Sequence, residues 1–338
     1  MKRCIVFLIL FLTGFVFAAE VVQLPDLLNP DSITVDKDHI YITEGAEVYI
    51  YFLKDFTLKK KFGKLGEGPQ EFKVFPGVNL RLNVSADDLI LESIGKLSFF
   101  TRVGDFKKEI KISAEEIMLG RYKPIAKGFV GLGGIIENNE QFLSVNLYDS
   151  AVNKIKEIFK LKSSFGKPGQ DIDPIAVTRF PFLYVDDNKI FVDDENGDIH
   201  VFNENGKEEK IVKYDYEKLA VKKADIDRYM DYFQSHPVYK RLIGKDKDKI
   251  KFPEYFPFIR SYHIADAKLY ILTYRVTDEK KEFFIFDMNG KLIKQIFLPL
   301  REIDPLNLSP YSIKNGKLYQ LLENEKTEKW ELYVNEIK

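Results

Sequence analysis

Short apolar runs separated by polar, Asp-, Asn- and Gly-rich turns recur along most of this chain, most plainly at residues 183–212. There Leu183, Tyr184 and Val185 meet a turn at 186–188, and Ile190, Phe191 and Val192 follow. An acidic turn at 194–197, a third run at 199–202, the Asn-Glu-Asn-Gly turn ending at Gly206 and a last run at Ile211 and Val212 complete the phrase. β-branched and aromatic residues in runs this short predict strands, and Asn-Gly or Asp-rich pairs supply the positive φ that tight hairpins need. The phrase therefore predicts four antiparallel strands in about thirty residues.

Blurred copies of it lie elsewhere. One spans 30–62, and another takes in 89–91, 97–100 and 109–112. A more degenerate copy uses 129–132, 142–147 and 155–159. Two more follow an interruption, at 269–297 and 313–334, with turns ending at Gly290 and Gly316. Six such units predict an all-β, six-bladed β-propeller, in which each sheet is covered on both faces, so near-continuous apolar runs replace strict alternation. Turns at this spacing also suit a β-sandwich or two β domains, and seven blades is the alternative count. The last copy is one strand short, and the β-prone run 20–24 is expected to supply it.

The period changes between blades four and five. From Lys222 it lengthens to about 3.6, placing Ile226, Tyr229, Met230 and Phe233 on one face of a helix. Pro237 breaks that helix, and a second short one with Val238, Leu242 and Ile243 ends at Gly244. A helical insertion over about 215–251 is expected, followed by the aromatic-proline run 252–258. The insertion either packs its aromatic stripe on the propeller face or shapes a ligand surface at the mouth of the central channel.

Residues 62–72, Phe-Gly-Lys-Leu-Gly-Glu-Gly-Pro-Gln-Glu-Phe, lie between the first two copies and precede Pro76. They resemble the inter-blade loop of NHL-type propellers and of the bacterial secreted six-bladed β-propeller family. A weaker echo stands at 165–170 before Pro174, and 190–206 resembles an NHL core with Asp193 at its aspartate position. The resemblance implies a six-bladed ring and a binding role without naming a ligand. In physical terms Gly63, Gly66 and Gly68 allow tight turns where the chain crosses to the next blade, and Phe72 is placed to plug the seam. No Gly-Lys-Ser/Thr follows and no helix opens there, so this is not a nucleotide loop.

Compartment and charge narrow the classes. Residues 1–19 read as a signal peptide: Lys2 and Arg3 start it, the apolar run 5–17 is too short for a stable span, and Val16 and Ala18 fit the cleavage rule. An uncleaved anchor is the alternative. The mature chain, 20–338, is expected to be one propeller domain, exported to the periplasm or beyond, with no stable membrane span. The single cysteine, Cys4, falls in the signal, which leaves no disulfide, thiolate nucleophile or cysteine metal site. With 51 basic and 52 acidic residues the chain is nearly neutral, without a nucleic-acid footprint.

Candidate chemistry comes as pairs. Arg121-Tyr122, Arg179-Phe180 and Arg260-Ser261-Tyr262 each set an arginine and an aromatic just before an inner strand, where they suit an anionic or sugar ligand. Tyr255 and Phe256 of the aromatic-proline run join them as candidate ligand-binding residues. Two functions compete. One is a binding or scaffolding module for a protein, peptide or glycan. The other is a metal-dependent hydrolase or lactonase resembling the gluconolactonase type, which would need Glu44, Asn79, Glu92, Glu137 and Asp193 to converge at the axis. No spacing singles those residues out, His39, His200, His236 and His263 form no ligand pair, and no Gly-x-Ser-x-Gly elbow occurs. The reading therefore favours the binding module, with no catalytic residue, metal or cofactor assigned.

Overall fold

The computed structural model describes residues 20–75, 77–113, 120–138, 140–162, 171, 173–177, 181–237, 239–240 and 249–338. The expected signal segment, Arg179 and Phe180, the loop echo at 165–170, and Val238, Leu242 and Ile243 of the expected second helix lie outside them.

Six four-stranded antiparallel sheets are present. Blade 1 comprises β2 (Ser32–Val35), β3 (His39–Glu44), β4 (Glu47–Phe52) and β5 (Leu58–Phe62). The crossing to the next blade carries a short parallel pair, β6 (Lys64–Leu65) and β7 (Glu71–Phe72). Blade 2 is β8 (Arg81–Val84), β9 (Asp88–Ser93), β10 (Lys96–Thr101) and β11 (Phe106–Lys111), and blade 3 is β12 (Gly120–Ile125), β13 (Gly128–Glu137), β14 (Glu140–Tyr148) and β15 (Lys154–Lys162). A helical turn, α1 (Pro174–Val177), precedes blade 4: β16 (Leu183–Asp186), β17 (Lys189–Asp193), β18 (Ile199–Phe202) and β19 (Glu208–Val212). Helix α2 (Lys223–Ser235) then precedes blade 5: β20 (Ser261–Ala265), β21 (Lys268–Thr277), β22 (Lys280–Asp287) and β23 (Leu292–Leu298). Blade 6 is β24 (Tyr311–Lys314), β25 (Lys317–Asn324) and β26 (Lys329–Glu336), and β1 (Glu20–Gln23) adds its fourth strand beside β26. The first strands of successive blades neighbour one another from β2 round to β24 and back to β2, so the chain is a closed six-bladed propeller.

Each seam between blades holds one apolar cluster, which explains the unbroken apolar runs. Along β3, Tyr41 packs toward blade 2 while Ile40 and Ile42 pack toward blade 6. Along β17, Ile190 and Val192 face blade 3 and Phe191 faces blade 5. Strand alternation still operates, but both faces are interior.

The inter-blade loop behaves as its glycines and phenylalanine suggest. Phe72 is fully buried between Tyr41, Val48 and Ile50 of blade 1 and Leu89, Leu91 and Phe100 of blade 2. Gly63 has φ +92°, and a Cβ there would lie 2.5 Å from the Ala46 carbonyl oxygen and 2.8 Å from the Phe72 ring. Gly63→Ala is therefore expected to cost about 1–3 kcal/mol through backbone strain and displacement of Phe72. Urea unfolding checks this; a midpoint equal to wild type would refute it.

The insertion is closed by a short antiparallel stem. The Val221 amide donates to the Glu254 carbonyl at 3.0 Å and the Phe256 amide to the Leu219 carbonyl at 2.9 Å. The Asp225 carboxylate accepts from the Lys222 amide at 2.9 Å and so caps α2. His236 leaves helical geometry ahead of Pro237, and the chain resumes a helical turn in which the Lys240 amide donates to the His236 carbonyl. The aromatic stripe packs on the propeller: Tyr229 and Phe233 join Ile175, Phe256, Phe252, Tyr274 and Leu306 in one cluster.

Candidate functional site

Residues two apart on a strand share a face, and the inner strands use this to build a belt around the axis. Arg81 and Asn83 on β8, Arg121 and Lys123 on β12, Tyr184 on β16, Ser261 and His263 on β20, and Tyr311 on β24 occupy corresponding positions. Lys123 Nζ donates to Asn83 Oδ1 at 2.6 Å and lies 5.9 Å from the centre of the Tyr184 ring. Tyr184 is 5.6 Å from His263, and His263 is 4.6 Å from Tyr311. The Ser261 and Tyr311 hydroxyls share a hydrogen bond of 2.8 Å.

Electrostatics in the belt are one-sided. Among the described residues, Arg81, Arg121 and Lys123 line a cavity of about 170 Å³ with Asn83, Phe182, Leu183, Tyr184 and a single carboxylate, Glu92. Desolvation, only partly offset by Glu92, lowers the Lys123 ammonium to about 8, and the neighbouring Arg121 and Arg81 charges push the same way. Burial, with Arg81 beside it, brings Arg121 down to about 10. Burial, reinforced by Lys123, holds His263 down at about 4, so its imidazole is neutral near neutral pH. Burial pushes Tyr184 well up, and lifts Tyr311 to about 12.

Above the belt a second cavity, of about 270 Å³, forms the channel mouth. Arg121, Arg260, Ser261 and Phe182 form its propeller side, Tyr229 of α2 and Ile175 of α1 border it, and the loop 305–308 completes it. Arg260 is clamped there: it pairs with Glu302 and lies 5.5 Å from the Tyr274 ring centre. Lys281 and Arg228 pair with the same carboxylate. Burial would raise Glu302, but Arg260, Lys281 and Arg228 hold it down at about 2. Because Arg228 belongs to α2 and the Tyr232 hydroxyl donates to Asp304 at 3.1 Å, these contacts fix the insertion to the mouth loop.

The arginine–aromatic pairs split across the strand. Arg121 and Arg260 face the mouth cavity, whereas Tyr122 and Tyr262 are buried in the seams on either side. The Tyr262 hydroxyl donates to the Phe182 carbonyl at 2.8 Å, which helps fix the start of β16. Tyr255 and Phe256 divide in the same way. Phe256 stacks on Tyr274 at 4.6 Å inside the core, while Tyr255 is half-exposed and lines a separate cavity of about 280 Å³ with Asp173, Asp193, Asp194 and Glu195. The sequence reading weighed His263 only as a metal ligand and did not single out Arg81, Asn83, Lys123, Tyr184 or Tyr311 as site residues. Their usable signal is the two-residue spacing of Arg81 and Asn83, Arg121 and Lys123, and Ser261 and His263 on three of the inner strands.

Three of the carboxylates considered as axial metal donors, Glu44, Glu92 and Asp193, bind backbone amides instead. Glu92 accepts from the Arg121 amide and the Tyr122 amide, each at 2.9 Å, and from Arg81 at 2.7 Å. Asp193 accepts from the Phe182 amide at 2.6 Å, and Glu44 accepts from the Leu28 amide at 2.8 Å. Placed at or near the ends of second strands, they pin the segments that enter an inner strand. Glu137 pairs with Lys160, and Asn79 is exposed. Among the described residues, no three His, Cys, Asp or Glu side chains gather as a metal-holding group.

No protein-family model matches this chain, and no curated protein matches it. Among solved structures it is similar to Hsv2 of Kluyveromyces lactis, with TM-score 0.42 and 12% identity, over 92% of this chain and 75% of that one. Hsv2 of Kluyvelomyces marxianus gives TM-score 0.43 and 11% identity, over 92% and 73%. BamB from Moraxella catarrhalis gives 0.32 and 7%, over 90% and 71%. Likeness this distant assigns no function, and the blade count rests on the strand pairing itself.

Proposed function

We propose that this protein is an exported, NHL-like binding or scaffolding module that receives a protein, peptide or glycan at the channel mouth. One observation carries the reading. The mouth cavity and the deeper cavity share Arg121 and Phe182, so the space bordered by the insertion adjoins the basic belt. Propellers host both binders and enzymes, so the site must decide the matter, and this one offers a shaped entrance with cationic and aromatic walls. Helix α2 then serves as part of the ligand surface as well as a packed element. The inter-blade loop and the signal-like start support the NHL-like and exported parts of the proposal.

The test is a screen of immobilised acidic and neutral peptides and glycans with the mature protein and an Asn307→Trp variant. Asn307 is exposed on the rim of the mouth, where an indole would obstruct entry. Ligands retained by the wild type are expected to carry acidic groups and to lose at least about tenfold in affinity with the variant, equivalent to about 1.4 kcal/mol. Equal binding by both proteins would place the ligand elsewhere and reject the mouth as the site.

A further inference from the structure

We infer that the belt holds one small oxyanion group, a sulfate, phosphate or carboxylate, between Lys123, Arg121 and Arg81. This deepens the binding-module reading and rests on it for the route of entry; it adds the chemistry of the group that reaches the bottom of that route.

The charge balance is the first argument. Among the described residues, the cavity wall carries three basic side chains and one carboxylate, and that carboxylate already accepts two backbone amides as well as Arg81. Lys123 makes its hydrogen bond to a neutral amide oxygen, that of Asn83, and among the described residues it has no ion pair. A partly buried ammonium that a single, already engaged carboxylate only partly neutralises is costly, and an anion placed beside it reduces that cost. Among the described residues, the groups around Lys123 supply no negative charge beyond that of Glu92. Arg81 and Arg121 repel it, Tyr184 is held protonated by burial, and His263 is neutral.

Size and donor geometry agree. At about 30 Å³ per water, a volume of about 170 Å³ holds a few waters or one oxyanion with a partial shell. Guanidinium groups offer planar forks suited to carboxylate and phosphate oxygens, and the lysine adds a point charge. The same walls disfavour cations. A bound anion stabilises protonated Lys123, so binding takes up a proton near the titration of that amine. Affinity is greatest below about pH 8 and declines as pH rises through that value.

The experiment uses the mature protein with sodium sulfate, phosphate and acetate against sodium chloride at matched ionic strength. Melting temperature and isothermal calorimetry are the readouts, compared with Lys123→Met and Arg121→Gln. Sulfate stabilises many proteins without a site, so the difference between proteins decides. The expected result is a saturable rise in the wild-type melting temperature, abolished or reduced at least tenfold in apparent affinity in both variants. Lys123→Met without added anion should melt no lower than wild type, because it removes an enclosed charge. Wild-type affinity should fall at least about tenfold between about pH 7 and pH 9.5, the scale of losing one charge partner. Equal shifts in all three proteins, or no saturable shift, would overturn the inference.

Two further arms identify the source of the anion. An acetylated peptide with a free terminal carboxylate and its amide are competed against sulfate. Displacement of the carboxylate form by sulfate, with weak binding of the amide, marks the end of a larger ligand; saturable sulfate binding alone marks a free ion. Macromolecular binding that is sensitive to Asn307→Trp, without any saturable anion effect, rejects the oxyanion site and leaves the module reading standing. Saturable anion binding without any macromolecular ligand does the reverse.

Discussion

Deletion of residues 20–28 is expected to unfold the protein or lower its melting temperature by about 10 °C or more. The four residues of β1 pair with β26, from Glu20 opposite Val334 to Gln23 opposite Glu331, and they come from the far end of the chain. Leu24 and Leu27 follow, at 1% and 3% exposure, in the cluster that joins blades 6 and 1. The Leu24 amide donates to the Trp330 carbonyl at 2.9 Å, and the Trp330 indole donates to the Leu28 carbonyl at 2.8 Å. Truncating one such buried leucine costs about 2–5 kcal/mol. Losing both together with a ladder consumes most of a typical stability of about 5–15 kcal/mol, and a loss near 5 kcal/mol corresponds to about 10 °C for a large domain. The double substitution Leu24→Ala, Leu27→Ala, which retains chain length, should show the smaller part of this effect. A deletion variant that melts within about 2 °C of wild type would mean that β1 does not close the ring.

The second large effect is expected at Glu302. Its side chain is 11% exposed, and Arg260 at 8% and Lys281 at 7% both depend on it, with Arg228 reaching it from the insertion. Glu302→Ala leaves two buried cations facing one another, and breaking a buried pair in this way costs about 3–5 kcal/mol. Glu302→Gln retains hydrogen-bond acceptance and should cost less. Adding Lys281→Met to Glu302→Gln should recover part of the loss, which a double-mutant cycle measures. The pH dependence has a definite sign. Glu302 is lowered in the folded protein from 4.5 to about 2, so its contribution is fully present above about pH 4.5 and is lost as pH falls toward 2. Glu302→Gln should lack this component of acid unfolding. An alanine variant within about 1 kcal/mol of wild type, or an unchanged acid profile in the glutamine variant, would contradict the assignment.

The seams and the hairpins were legible because their chemistry is local. Gly206 ends a turn with φ +74°, and the runs 190–192 and 199–202 alternate between two apolar clusters, so residues 183–212 read directly as a blade. The first strand of blade 2 was not legible, and that of blade 3 was expected only after Tyr122, whereas β12 already contains Arg121 and Tyr122. β8 (Arg-Leu-Asn-Val) and β12 (Gly-Arg-Tyr-Lys-Pro-Ile) put polar side chains on the axis, which breaks the apolar pattern that marks a strand. The residues that build the belt therefore hide the strands that carry it. Arg121 and Arg260 could be picked out beside their aromatic neighbours, but Lys123 could not. In a chain with 51 lysines and arginines, nothing local separates an enclosed lysine from a solvated one. Nor could the sequence show that Glu44, Glu92 and Asp193 turn back onto amides, since those amides lie 11 to 30 residues away.

The most direct test of the channel as the binding site is hydrogen–deuterium exchange of the mature protein with and without the tightest ligand from the peptide and glycan screen. Amide protection is expected in the segments around 120–123, 182–184, 260–263 and 302–308 and along α2, with little change in the outer strands β5, β11 and β19. Protection concentrated on those outer strands, with the mouth segments unchanged, would show that the ring binds by its rim and not through its channel.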